Sequence, residues 1–352
     1  MTPEESRFHA EPEELVEELR GLPAAWTVGR PDPDDPGDVR RLTELLREHE
    51  RAGRGWPGAG KDDVLVEVRG LRTRENVVVR DDRGLIRAWG SVHDRASGRM
   101  LFVHVVERGI DERIGRACSD LLVEWAVGRA REVGAARGLE VQQVDTGAFD
   151  DDERQHRWLA AAGFTKVRRW WQMERPVTPD EAALVDDPAR WERDGVVFRL
   201  VERDADGQPA QADLRAVHDV LEAAFSDHFN SKPETFDEFL FRLREDPGHG
   251  WDHWWLAEVD DRPGGALVGT GSASGSYVAY IGVVEVARGR GVAKGLLRTI
   301  IADTARRGGD RVGLEVDADS PTGADRLYRG LGWTTSYVTE SWHRDVPVRT
   351  GV

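Results

Sequence analysis

The stretch best equipped for chemistry is YIGVVEVARGRGVAKGLLRTIIADTARR, residues 280–307. A β-branched run from Ile281 to Val286 leads through Arg288-Gly289-Arg290-Gly291-Val292-Ala293 into a helix-like segment. A glycine-rich turn between a strand and a helix N-terminus presents backbone N–H groups to an anion, and the helix dipole adds to the attraction. Gly289 and Gly291 have no side chain to hold a pyrophosphate away from that backbone. Arg288, Arg290 and Lys294 place positive charge on a chain that is otherwise acidic. The same residues would also serve as a tight turn with its arginines in solvent. Further along, Glu315 and Asp317 stand two apart on a strand-like run and so share one face.

The elements that must position these residues occur twice. GFTKVRRWWQMERPV (163–177) and GWTTSYVTESWHRDVPV (332–348) each begin with glycine and an aromatic and run on as a strand. Each follows a helix-like segment, ERQHRWLAAA in one case and TGADRLYRGL in the other. LLVEWAVGRAREVG (121–134) and LLRTIIADTARRGG (296–309) read as amphipathic helices that end at glycine. Upstream, NVVVRDDRGLIRAWGSV and WWLAEVDDRPGGALVGTGSA each read as strand, Asp/Gly turn, strand, followed by MLFVHVV or YVAYIGVV as the next strand. The expectation is an α/β (α+β) domain built twice, with a first copy over 1–178, a Pro- and Asp-rich linker over 179–195 and a second copy over 196–352.

The 288–293 stretch resembles motif A of the GNAT superfamily of acyl-CoA-dependent N-acetyltransferases, here as Arg288-x-x-Gly291-x-Ala293. GLEVDADSPTGADRLYRGLGW (313–333) is similar to that family's next strand and its tyrosine-bearing motif B. DLRAVHDVLEAAFSDHFNSKPETFDEFLFRL (213–243) resembles the two helices that shape its acceptor pocket. The resemblance covers 196–347 in order. It implies tandem GNAT-like domains, each a mixed, mostly antiparallel sheet flanked by helices, with acetyl-CoA as co-substrate and a primary amine as acceptor. It implies that Arg288, Gly289, Arg290, Gly291, Val292, Ala293 and Lys294 cradle the coenzyme pyrophosphate. The backbone of Val283 and Val284 would align the pantetheine arm, with an N–H near the thioester oxygen. Tyr328 falls where the family places its general acid, and a phenol with a pKa of about 10 is protonated at neutral pH. Asp317 and Glu315 point toward the acceptor amine, Asp317 as base and Glu315 as a substrate contact. Glu285 stands where the family often has proline, so its carboxylate either reaches the amine or faces solvent. Ser320 takes the place of a usual asparagine beside the coenzyme. Asp227 and His228 lie on the acceptor-side loop.

The first copy lacks this equipment. Aligning Leu121-Leu122 with Leu296-Leu297 sets Arg113-Ile114-Gly115-Arg116-Ala117-Cys118 opposite 288–293, so that Ile114 replaces Gly289 and Arg116 replaces Gly291. Leu159 stands at the position of Tyr328, and all 4 tyrosines lie in the second half. The first copy therefore reads as a degenerate domain that keeps the fold without the catalytic groups.

Composition narrows the remaining readings. The 352 residues carry 65 acids against 49 bases, for a net charge of −16, which disfavours nucleic acid and anionic membranes. The single cysteine excludes an internal disulfide framework, and the 10 histidines show no metal-ligand spacing. Gly55-Trp-Pro-Gly-Ala-Gly60-Lys61-Asp62 approaches a P-loop, but Asp62 stands where a hydroxyl must bind magnesium, and VLVEV follows in place of a helix start. The acidic beginning has no apolar signal segment, and no run nears the roughly 20 apolar residues of a membrane span. The expectation is a cytoplasmic acyltransferase, monomer or homodimer, without a metal. It acetylates a small-molecule amine, touches no nucleic acid or membrane and works through its second half. The alternatives are an acyltransferase acting on a protein or peptide amine, or an acyl-CoA-sensing or partner-binding module without turnover.

Overall fold

A computed structural model describes residues 21–69, 74–95, 98–183, 195–226, 234–244, 250–271, 275–319 and 323–348. The chain divides into two compact units, one formed by 1–169 with 339–352 and the other by 170–338.

In the first unit the strands are β1 (Thr27–Gly29), β2 (Arg74–Arg80), β3 (Ile86–Asp94), β4 (Arg99–Val106) and β5 (Val141–Phe149). They pair in chain order, antiparallel throughout except for the parallel β4/β5 pair. The helices are α1 (Pro36–Arg54), α2 (Lys61–Val68), α3 (Glu112–Ala136) and α4 (Glu153–Ala161). Strand alternation sorts the core: Val77, Val79 and Ala88 meet Leu121, Leu122 and Leu159 on one face, while Val78, Ile86 and Trp89 meet Val39, Leu42 and Leu45 on the other. VLVEV, β-branched and strand-like in sequence, is the body of α2. Asp63 accepts the Gly60 N–H at 2.7 Å and Val64 is fully buried, so a cap and tertiary packing override the local preference. The preceding turn is no phosphate cradle, because Glu50 already takes the Gly58 and Ala59 N–H groups at 2.6 and 2.8 Å.

The second unit repeats the plan. Its strands are β7 (Val196–Leu200), β8 (Trp254–Val259), β9 (Arg262–Gly271), β10 (Gly275–Val283) and β11 (Arg311–Asp317). The helices are α5 (Gln211–Phe225), α6 (Phe236–Arg244), α7 (Val292–Arg306) and α8 (Ala324–Gly330). Helices α5 and α6 cover one face through Val217, Leu221 and Phe239 against Trp254, Leu256 and Val268. Helices α7 and α8 cover the other through Leu296, Ile300 and Tyr328 against Leu267, Leu314 and Val316.

The last strands of the two copies are exchanged. Strand β6 (Thr165–Pro176) follows α4, yet its residues 170–176 pair antiparallel with β11 in the second unit. Strand β12 (Thr334–Pro347) follows α8, yet its residues 339–347 pair with β5 in the first unit. The unit boundary therefore falls within β6, and the end of the chain returns to the first unit, where the sequence drew its boundaries at 178 and 196. Hydrophobic alternation fixes which face a strand turns inward but leaves its edge partner open.

Among the described residues no helix is long and apolar enough to cross a membrane. Cys118, on α3, has no exposed surface, and burial pushes its thiol up to about 12. Thiolate is the reactive form, so an aromatic disulfide reagent at pH 8 is expected to label the native protein only as fast as the first unit opens. Stoichiometric labelling within seconds under native conditions would contradict this packing.

Candidate active site

Strands β10 and β11 pair in parallel only from Gly275–Val278 against Arg311–Leu314. Beyond Leu314 they diverge, and β10 carries a bulge between Val278 and Tyr280. The divergence leaves one edge of β10 without a strand partner. Val284 donates its N–H to the Gly264 carbonyl at 3.0 Å, which makes Val283 and Gly265 a non-hydrogen-bonded pair. Val283 therefore turns its own N–H and C=O away from β9 and into the gap. Of the two valines named from sequence, Val283 offers an N–H there, while that of Val284 is spent on β9.

A 3₁₀ turn, Glu285–Ala287, joins β10 to the loop. Gly289 and Gly291 have φ of 78° and 79°, in the left-handed region that glycine enters without penalty. Gly291 caps α7 without a side chain. The N–H groups of Val292, Ala293 and Lys294 precede the first helical acceptors and stay available to a ligand. The Val292 side chain is buried and anchors this end of the helix. Arg288 and Lys294 are exposed, and neither has a carboxylate partner among the described residues. Arg288 reaches back to the Val283 carbonyl at 3.5 Å. Arg290 instead pairs with Asp260 on the β8–β9 turn, and this guanidinium holds the Asp260 carboxyl below its usual range.

Tyr328 projects from α8 into the core beside Val316, its ring edge-on to Trp333 at 6.2 Å between centroids. It is 7% exposed, and burial raises its phenol to about 12. Glu315 and Asp317 occupy the opposite face of β11 from Leu314 and Val316. Asp317 accepts the Asp319 N–H at 2.9 Å. Glu315 accepts a hydrogen bond from Gln172, its register partner on β6. Tyr277 on β10 shares the Glu315 face and was not singled out from sequence, where it reads as one residue of an alternating strand. Gln172 was not singled out either, since only the strand exchange brings it opposite Glu315. Glu285 lies exposed in the 3₁₀ turn. Ser320, Asp227 and His228 lie outside the described residues.

The first unit has the same framework with its openings filled. Val106 corresponds to Val283, since Glu107 donates to the Arg87 carbonyl at 2.8 Å as Val284 does to Gly264. The Val106 carbonyl, however, already accepts from Arg154 at 2.8 Å, and Gln155 donates to the Gly147 carbonyl at 3.2 Å. The segment 113–118, set opposite the glycine loop, is no loop at all: α3 begins at Glu112 and runs straight through it. The Asp111 carboxylate caps that helix, accepting from the Arg113 and Ile114 N–H groups at 3.0 and 3.3 Å. The chain's own carboxylate thus sits where the second unit offers bare N–H groups. Among the described residues no group of three or more His, Cys, Asp or Glu is placed to hold a metal ion.

The second unit thus sets a strand gap beside a glycine-capped helix on a mixed sheet. Residues 214–333, from α5 to the start of β12, match the Acetyltransferase (GNAT) family. Among curated proteins, the mycothiol acetyltransferase of Thermobispora bispora is 31% identical over 199 residues, covering 53% of this chain and 61% of that protein's length. A GCN5-related N-acetyltransferase from Sphaerobacter thermophilus shares the fold with a TM-score of 0.73 at 24% identity, over 93% of this chain and 97% of that one. A tandem GNAT protein from the clavulanic acid biosynthesis pathway does so with a TM-score of 0.64 at 14% identity, over 91% and 98%.

Proposed function

We propose that this chain is an N-acetyltransferase that moves an acetyl group from acetyl-CoA to the primary amine of a small molecule, with the chemistry in the second unit. The observation that carries this reading is the N-terminus of α7, which has no side-chain cap and follows two left-handed glycines, beside the Val283 N–H that turns away from β9. The loop fits a pyrophosphate: a Cβ added at Gly289 would meet no atom within 4 Å, so the approach to the backbone is open. Bound acetyl-CoA would supply the thioester carbonyl that the amine attacks. The Val292, Ala293 and Lys294 N–H groups would hold its phosphates, with Arg288 and the Lys294 ammonium adding charge. The Val283 N–H would donate to the oxygen on which negative charge develops. Tyr328 Oη would deliver a proton to the departing sulfur, and one of the β11 carboxylates, Glu315 or Asp317, would receive the proton that the ammonium loses. The likeness to a mycothiol acetyltransferase supports a small-molecule acceptor.

The first unit, with its helix end capped by Asp111 and its strand edge occupied by Arg154, would bind no acyl-CoA. Calorimetric titration with acetyl-CoA is therefore expected to give one site per chain. Two sites would overturn the assignment of the first unit, and no binding would overturn the transferase reading itself.

A further inference from the structure

The two copies differ on the face of the sheet that α1 and α5 cover. In the first unit Arg41, on α1, donates to the Ile86 carbonyl at 2.9 Å and ion-pairs with Glu107 at 2.9 Å, while Arg87 holds the same carboxylate at 2.8 Å. Helix α5 corresponds to α1: Asp38, Val39, Leu42 and Leu45, all buried, match Asp213, Leu214, Val217 and Val220 in type and spacing. Asp38 and Asp213 also each ion-pair with an arginine. Arg41 therefore has its counterpart in Ala216. The shared strand bond sets Glu107 opposite Val284 and Arg87 opposite Gly264, hence Ile86 opposite Pro263. With arginine and glutamate replaced by alanine and valine, the second unit has an open pocket of about 400 Å³ at this place. Ala216, Val220, Pro263 and Val284 form an apolar floor, and Arg215 and Asp219 stand on the rim. These two are four apart on α5, neighbours on one helix face with about 5–6 Å between their Cβ atoms. They are not paired with each other: the Arg215 guanidinium lies over the Phe236 ring at 4.3 Å, and the Asp219 carboxylate lies 3.3 Å from His218 Nδ1. Both are exposed, so a cation and an anion face solvent together above the apolar floor. Farther along α5, Leu221 and Ala224 pack against Gly282. The pocket thus lies along the first half of the helix, at the other end from residues 227 and 228, which follow it in the chain.

We propose that this pocket binds a small aliphatic α-amino acid as its zwitterion, with the carboxylate on Arg215, the ammonium on Asp219 and the side chain on Ala216, Val220, Pro263 and Val284. An α-amino acid carries both charges on one carbon, a separation that suits a cation and an anion one helical turn apart. The volume falls within the range of small-molecule sites and accommodates a side chain of leucine's size together with its head group. A compound with only one of the two charges leaves the other rim group unused and forgoes a charged hydrogen bond. The ligand would rest on Val284, whose N–H ties β10 to the Gly264 carbonyl, without entering the gap between β10 and β11. Occupancy of the pocket does not depend on the transfer chemistry.

Saturation-transfer NMR on the full chain, without acetyl-CoA, can compare L-leucine with 4-methylpentanoate, which lacks the ammonium, and isoamylammonium, which lacks the carboxylate. L-Leucine is expected to bind at least about tenfold more tightly than either, the scale of one charged hydrogen bond. Arg215→Gln should weaken leucine about tenfold and leave isoamylammonium unchanged. Asp219→Asn should weaken leucine by a similar factor and leave 4-methylpentanoate unchanged. Both side chains are exposed, so neither change disturbs the core. Ala216→Arg, which copies Arg41 of the first unit into the pocket, should abolish binding of all three, with a thermal midpoint within a few degrees of wild type showing that the variant is folded. Should that variant melt early, the selective losses in the two rim variants decide the question alone. Absence of leucine binding, equal affinity for 4-methylpentanoate, or wild-type affinity for leucine in folded Ala216→Arg would each overturn the proposal. The last result would place the amino acid elsewhere on the chain, the acceptor end included.

Discussion

Replacing Tyr328 by phenylalanine is expected to lower kcat by about 10²–10⁴-fold, the range for loss of a positioned general acid, while the dissociation constant of acetyl-CoA stays within about twofold. The substitution keeps the ring against Trp333 and Val316 and removes only the hydroxyl, so the core that holds α8 is preserved. Single-turnover rates measured beside calorimetric affinities would test it. A variant with unchanged turnover would show that the leaving sulfur takes its proton from elsewhere. The phenol also sets the alkaline side of the pH profile. With Tyr328 raised to about 12, the protonated form persists through the working range, and kcat should show no loss from this group up to at least pH 10. Loss of rate with a midpoint near 9 in the wild type, absent in Tyr328→Phe, would contradict the burial that raises it.

The second large effect is expected at Gly291. Substitution by aspartate copies into the second unit the carboxylate that Asp111 already provides in the first. At φ of 79° any L-residue is strained by about 1–2 kcal/mol, although aspartate is among the side chains that best tolerate this region. The added carboxylate lies beside the N–H groups that would hold a pyrophosphate and repels it. Losing two charge-assisted hydrogen bonds costs about 3 kcal/mol or more, so affinity for acetyl-CoA should fall at least about 10²-fold. The thermal midpoint should move by only a few degrees. Calorimetry with acetyl-CoA and differential scanning on the same preparation check both arms. Wild-type affinity would remove the loop from the binding site.

The glycine loop, the Tyr328 helix, the carboxylates of β11 and the duplicated order of elements were all legible, because each is a local pattern of spacing or residue type. Periodicity marks the helices around 121–134 and 296–309, but it does not mark the start of α3 at Glu112. Asp111-Glu112 ahead of an apolar helix is an N-cap signal, and it lies just before the 113–118 segment that the leucine pairs set opposite the glycine loop. The β-branched VLVEV argues against a helix start, yet capping by Asp63 and burial of Val64 make it helical. Arg154 on the Val106 carbonyl, Gln172 on Glu315 and the Tyr277 ring over Gly313 left no trace in the sequence. Each depends on which strand or helix lies alongside which, a long-range choice that alternation does not encode.

The exchanged strands bear on how such a chain can evolve. A fragment beginning at Val196 would lack residues 170–176 and leave the edge of β11 bare, and a fragment ending at 178 would leave β5 in the same state. Duplication followed by this exchange amounts to a swapped dimer written into one polypeptide. Once the copies complete one another's sheets, deleting either removes a strand from the survivor. The first copy is then free to fill its own cleft with Arg154 and Asp111, yet it cannot be discarded, because it has become part of the second copy's inheritance.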